Sequence, residues 1–156
     1  MKGIILGIMI ATLLLIPVLQ ALDESNITRG WVVAHPENWN RDAEDDGIRV
    51  WAELQDKHEE IIKYANVEMP VEIKIYTTES ETLPVKPARL IYSGSSVMRN
   101  WQDDAFISGA IGIKDISWKE MAALPTDQTY GILYITITPP SGENCSARWD
   151  EARIKP

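Results

Sequence analysis

The nine residues Tyr130-Gly-Ile-Leu-Tyr-Ile-Thr-Ile-Thr138 constrain this chain most. β-Branched and aromatic side chains crowd the preceding turn of a helix but fit a pleated, half-buried surface, so the segment reads as a strand. Pro139, Pro140 and Gly142 then supply a reversal, since proline brings no N–H to continue a ladder and glycine tolerates positive φ. Ser146 to Ile154 returns antiparallel, with Leu133, Ile135 and Ile137 forming the face to be buried. A lone hairpin is marginal in water, so earlier segments must pair with it.

Those segments carry strand signals. Gly30 to Ala34 reads as a first strand halted by His35-Pro36. In Ile48 to Leu54, Ile48, Val50, Ala52 and Leu54 share one face and Arg49, Trp51 and Glu53 a second, solvated one. Gln55 to Glu60 is a polar reversal, from which Ile61 to Ala65 is expected to return as a strand. Val71, Ile73, Ile75 and Thr77 alternate with Glu72, Lys74 and Tyr76. The proline-stiffened Leu83 to Pro87 suits an edge or crossover and leads into a short strand, Ala88 to Tyr92. Gly94-Ser-Ser then leads to a loop, Trp101-Gln-Asp-Asp104, and Phe106 to Ile113 resumes β character, weakened by Gly109 and Gly112. Ser117-Trp-Lys-Glu120 is a capping-box pattern opening one or two helical turns that Pro125 ends. About seven short strands, and no helix able to cover a parallel sheet, predict an all-β chain: an antiparallel β-sandwich with one short helical connector.

The 156 residues accommodate one domain. Lys2 followed by the uncharged, apolar Gly3 to Leu19 reads as a signal peptide at 1–21, cleaved after Ala21, or as an uncleaved membrane anchor. Both place the rest outside the cytoplasmic membrane, extracellular or at the cell surface. Residues 22–29 are expected to form a loose tether and 30–156 the sandwich. The net charge of -8 argues against nucleic acid or anionic lipid as a partner. An extracellular protein or polysaccharide fits better, with membrane contact only through an uncleaved N-terminal segment. Cys145, the only cysteine, excludes an internal disulfide and reads as a buried thiol.

Leu124-Pro-Thr-Asp-Gln-Thr-Tyr130, placed before the penultimate strand, resembles the corner at which immunoglobulin-like and fibronectin type III-like domains set a tyrosine that bonds back to upstream backbone. The strand pattern from Gly30 to Ile154 is similar as a whole. The resemblance implies an immunoglobulin-like sandwich acting as an extracellular binding or spacer module.

No catalytic constellation emerges. Ser93-Gly-Ser95-Ser96 lacks a nucleophile elbow, and His35 and His58 stand in loop contexts, so a hydrolase ranks below a non-enzymatic interaction or structural module. Six tryptophans accompany one phenylalanine. They fill a small core with large apolar area or, in a carbohydrate-binding module, supply a platform, for which Trp51 is the candidate. Asp42, Glu44, Asp46, Gly47 and Glu53 follow the spacing of a calcium loop, where alternate carboxylates curl round a hard cation and a distal glutamate adds two oxygens. Calcium is therefore the one cofactor the sequence raises. Asn26-Ile-Thr28 and Asn144-Cys-Ser146 are acceptor patterns for N-glycosylation at Asn26 and Asn144.

Overall fold

The computed structural model describes residues 22–79, 85–99, 110–123 and 128–156. Among them, seven strands carry the fold: β1 (Arg29–Glu37), β2 (Gly47–Gln55), β3 (Met69–Thr78), β4 (Pro87–Met98), β5 (Ile111–Ser117), β6 (Tyr130–Ile137) and β7 (Cys145–Arg153). They form two antiparallel sheets, β1-β2-β5 and β4-β3-β6-β7, in a β-sandwich-like arrangement. The helical pieces among the described residues are single 3-10 turns at Glu24–Asn26 and Trp118–Glu120. The second carries the expected capping box, Ser117 and Glu120 each bonding the other's backbone.

Alternation builds the core. β3 buries Val71, Ile73 and Ile75 and turns Glu72 and Lys74 to solvent. Leu133, Ile135 and Ile137 of β6 join them against Val32, Ile48, Val50 and Leu54 of the facing sheet. Each such side chain contributes about 1.5–3 kcal/mol on leaving water. The β6–β7 hairpin closes as its sequence predicts: Gly142 has φ +83° and donates its N–H to Pro139 O at 2.9 Å. The two sheets approach each other at both flanks. On one, Gly30 lies against Cys145 and Ala147, so that β1 runs beside β7. On the other, Ser96 Oγ donates to Ile113 O, tying β4 to β5.

Several sequence expectations need correction. β1 does not stop at His35-Pro36 but continues to Glu37, with Pro36 opposite Ile48. Among the described residues β2 is its only ladder partner, and an edge strand tolerates a missing donor. Ile61 to Ala65 is not a strand; it makes a single bridge, Gln55 to Ile61. β1 covers the whole of β2 on one side and β5 covers Gly47 to Ala52 on the other, which leaves only the last residues of β2 for the returning segment. The chain instead crosses to the other sheet through left-handed Glu59 and Asn66, with Tyr64 and Ala65 buried on the way. The short strand expected at Ala88 to Tyr92 is longer, β4 running on through Gly94-Ser-Ser to Met98: at a sheet edge, small polar residues stay wet while their backbone pairs with β3. Leu22 to Thr28 is no loose tether. Leu22 and Ile27 pack on the core, Thr28 N–H donates to Gln55 O, and Glu24 Oε2 accepts the Ser141 N–H at 2.7 Å.

The expectations for residues 1–21, Leu83-Pro84, Trp101, Phe106 to Gly109 and Leu124 to Asp127 lie outside the described residues. Among the described residues, no helix is long and apolar enough to cross a membrane.

Candidate functional site

The strand directions give the sandwich two distinct ends. One gathers Leu22–Thr28, the 56–68 crossover and the β6–β7 turn. The other gathers the 38–46 acidic loop, the Trp118–Glu120 turn and the start of β6.

At this second end the acidic loop is satisfied by its own backbone. Asp46 Oδ2 accepts the N–H groups of Trp39 (2.8 Å) and Asn40 (3.0 Å), and Oδ1 accepts Asn40 Nδ2 (3.0 Å). Asp42 Oδ1 accepts the Glu44 N–H, and Asn38 caps Arg41, whose φ is 63°. The loop is anchored from outside: Trp118 Nε1 donates to Asp45 O at 2.7 Å, and Arg153 pairs with the Asp45 carboxylate at 3.1 Å.

This geometry does not assemble the calcium set. Glu53 sits six residues along an extended strand from Gly47, about 20 Å at roughly 3.3 Å per residue. It is buried there and accepts Gln55 Nε2. The calcium spacing requires a curling loop, but everything after Asp46 is strand. Gly47 serves another need, because a Cβ there would stand 2.1 Å from Ile116 O and 2.7 Å from the Trp39 ring. Among the described residues, no group of three or more His, Cys, Asp and Glu side chains is placed to hold a metal ion.

Trp51 is not an exposed platform either. It is 6% exposed and packs with Val33 and Ala110, with Trp31 and Trp149 against the same cluster. The face of β2 expected to be wet is covered at Trp51, Glu53 and Gln55 and remains partly open at Arg49, which pairs with Asp115 at 2.6 Å. Trp39 is exposed at the acidic loop, and Trp118 is half-buried.

A cleft of about 860 Å³ opens at the acidic-loop end between β1, β7 and the ends of β3 and β6. His35, Thr129, Tyr130, Trp149, Asp150, Glu151 and Arg153 line it. Tyr130 is 56% exposed, so it does not form the buried tyrosine corner that the resemblance implied. It starts β6 on the face opposite Leu133 and Ile135 and stands at the cleft instead. Tyr64 and Tyr92 are the buried tyrosines among the described residues; the Tyr64 hydroxyl has no partner among them, and burial pushes its ionisation well up. Among the described residues that line the cleft, none is a serine or a cysteine. Asp150 and Glu151 both line the cleft from one place, the bulge of β7 between Trp149 and Ala152, so they are neighbours on one strand rather than two carboxylates facing across a gap. Asp150 is bound by Arg148.

Sequence reading missed this cleft because its walls come from strand ends far apart in the chain, with no motif linking them. The one available signal was an aromatic residue, Tyr130, on the wrong face of an otherwise apolar strand.

At the opposite end, Asn26 and Asn144 are both exposed. Asn26 Nδ2 donates to Asp23 Oδ2 at 2.9 Å, and Asn144 Oδ1 accepts Thr138 Oγ1 at 2.9 Å. Cys145, next to Asn144, is a buried free thiol whose pKa burial raises.

No protein-family model, curated protein or solved structure matches the chain.

Proposed function

We propose that the chain is an exported, non-enzymatic interaction module of the immunoglobulin-like or fibronectin type III-like kind, working at the cell surface. The sheet partition supports the class. Constant-type immunoglobulin sandwiches place strands A, B, E and D in one sheet and C, F and G in the other. Here the first, second and fifth strands form one sheet, and the fourth joins the third, sixth and seventh.

The observation that carries the role is the opposition of the two ends. The chain enters from its apolar N-terminal segment at the Leu22 end, and the cleft opens at the other, a nine-residue strand or about 30 Å away. A module anchored or secreted through that segment holds its cleft towards an extracellular partner, a protein or a polysaccharide. Labelling intact cells of the native host with a membrane-impermeant amine reagent tests this. Full labelling before lysis is expected, and a chain labelled only after lysis overturns the reading.

A second reading, saccharide binding, is favoured by Tyr130, an exposed aromatic ring beside Asp150 and Glu151, which supply acceptors for sugar hydroxyls. Titration of cell-wall oligosaccharides should quench the fluorescence of Trp149 in the cleft wall, and Tyr130→Ala should abolish the effect. A saturable response unchanged in Tyr130→Ala would remove the cleft from consideration.

A further inference from the structure

The two acceptor asparagines are more than chance tripeptides in one respect: the fold brings them to the same end of the sandwich. Asn26 ends the exposed 3-10 turn before β1, and Asn144 lies in the turn before β7. The Glu24–Ser141 hydrogen bond clamps those two segments together. Both side chains are exposed, and both lie at the end remote from the cleft and the acidic loop.

We infer that Asn26 and Asn144 are N-glycosylated and that the glycans collar the N-terminal end of the module. The inference rests on the export reading, since the modifying machinery acts on translocated chains. The donor is a lipid-phosphate-linked oligosaccharide. The asparagine Nδ2 attacks its anomeric carbon, an N–C1 bond forms, and the bond from C1 to the phosphate oxygen breaks. The lipid phosphate leaves with the electron pair, and the amide loses one proton.

The local geometry accommodates the product. A glycosylated carboxamide keeps one N–H, enough for the Asn26 bond to Asp23. Asn144 is held through its oxygen, and none of the described hydrogen bonds uses its nitrogen. Sugar at these two positions shields the hairpin turn and the first residues of the domain while leaving the cleft open.

The test is intact-mass analysis of the full-length gene product recovered from the native host, in wild type and in Asn26→Gln, Asn144→Gln, Thr28→Ala, Ser146→Ala and Thr28→Ser. Wild type should carry two glycan increments. Asn26→Gln and Thr28→Ala should each lose one, Asn144→Gln and Ser146→Ala the other, and Thr28→Ser should keep both. Because Thr28→Ala retains the asparagine, a loss there reports recognition of the acceptor pattern rather than damage to the turn. An exported chain at its bare sequence mass overturns this inference and leaves export standing. Increments that persist in Thr28→Ala and Ser146→Ala overturn it as well. A bare chain confined to the cytoplasm overturns both the glycosylation and the export.

Discussion

Gly112 of β5 lies flat against the indole of Trp51 on the neighbouring β2: a Cβ at Gly112 would stand 3.2 Å from Cζ3 and 3.4 Å from Cε3. One strand omits its side chain where the other places its largest, beside a register shift between Val50 and Trp51. Gly112→Val should overpack this contact and cost about 1–3 kcal/mol in urea unfolding. Combined with Trp51→Ala, it should cost less than the sum of the two single changes, because the cavity left by the indole receives the added methyls. A Gly112→Val protein within about 0.5 kcal/mol of wild type would mean that the indole moves aside freely.

Ile135 is 1% exposed, on β6 between β3 and β7. Ile135→Ala should lower stability by about 2–5 kcal/mol, measured by chemical denaturation, as expected for a large side chain in a site that collapses only partly. Thr136→Ala, on the opposite face of the same strand, should stay within about 0.5 kcal/mol. Equal effects would place the core on the wrong face.

What the sequence made legible were the elements whose pattern is set by one face alone. β3 and the Leu133 to Ile137 stretch of β6 alternate, and the Ser117–Glu120 capping box is a local hydrogen-bond exchange that needs no distant partner. Ile61 to Ala65 looked like a strand because apolar content signals burial, and Tyr64 and Ala65 are indeed buried; pairing, however, depends on a free sheet edge that no local pattern reports. Trp51 and Glu53 were assigned to solvent by strict alternation, a rule that fails when a strand is covered on both faces. The cleft was invisible because Tyr130, His35 and Glu151 meet only through the topology.

Tyr64 is 1% exposed, and its hydroxyl has no partner among the described residues. Desolvation holds the phenol in its neutral form and raises its pKa far above the ordinary value of 10.0. The unfolded chain therefore loses this proton first. The stability Tyr64 contributes is complete below about pH 10 and declines as pH rises from there towards the folded-state value. The slope should be up to about 1.4 kcal/mol per pH unit for this group. Tyr64→Phe should flatten that alkaline decline. At pH 7 it should be neutral or stabilising, since it removes a buried hydroxyl that gains no hydrogen bond. A Tyr64→Phe protein that is markedly less stable at pH 7, with the alkaline slope unchanged, would mean the hydroxyl is partnered and titrates like an exposed phenol.

Asp46 staples the acidic loop by accepting three N–H groups from Trp39 and Asn40, while its own backbone bridges Glu37 on one side and Trp118 on the other. Asp46→Ala should release all three side-chain bonds and cost about 1–2 kcal/mol, on the scale of hydrogen bonds to a charged acceptor at a partly wet site. Asp46→Asn keeps one carbonyl oxygen and replaces the other with a donor facing donors, so it should fall between wild type and Asp46→Ala. Asp42→Asn should cost less, because Asp42 accepts only the Glu44 N–H through one oxygen, which an amide oxygen can replace. Both Asp46 oxygens are committed to N–H donors, and Glu53 is strand-bound about 20 Å away. The ordering should therefore be the same with a chelator and with calcium at about 10 mM, above the range of weak extracellular sites. Thermal unfolding across that range reads the outcome directly. A wild-type melting temperature rising with the logarithm of free calcium, and lost in Asp46→Asn, would return the loop to the metal-binding role its spacing suggested.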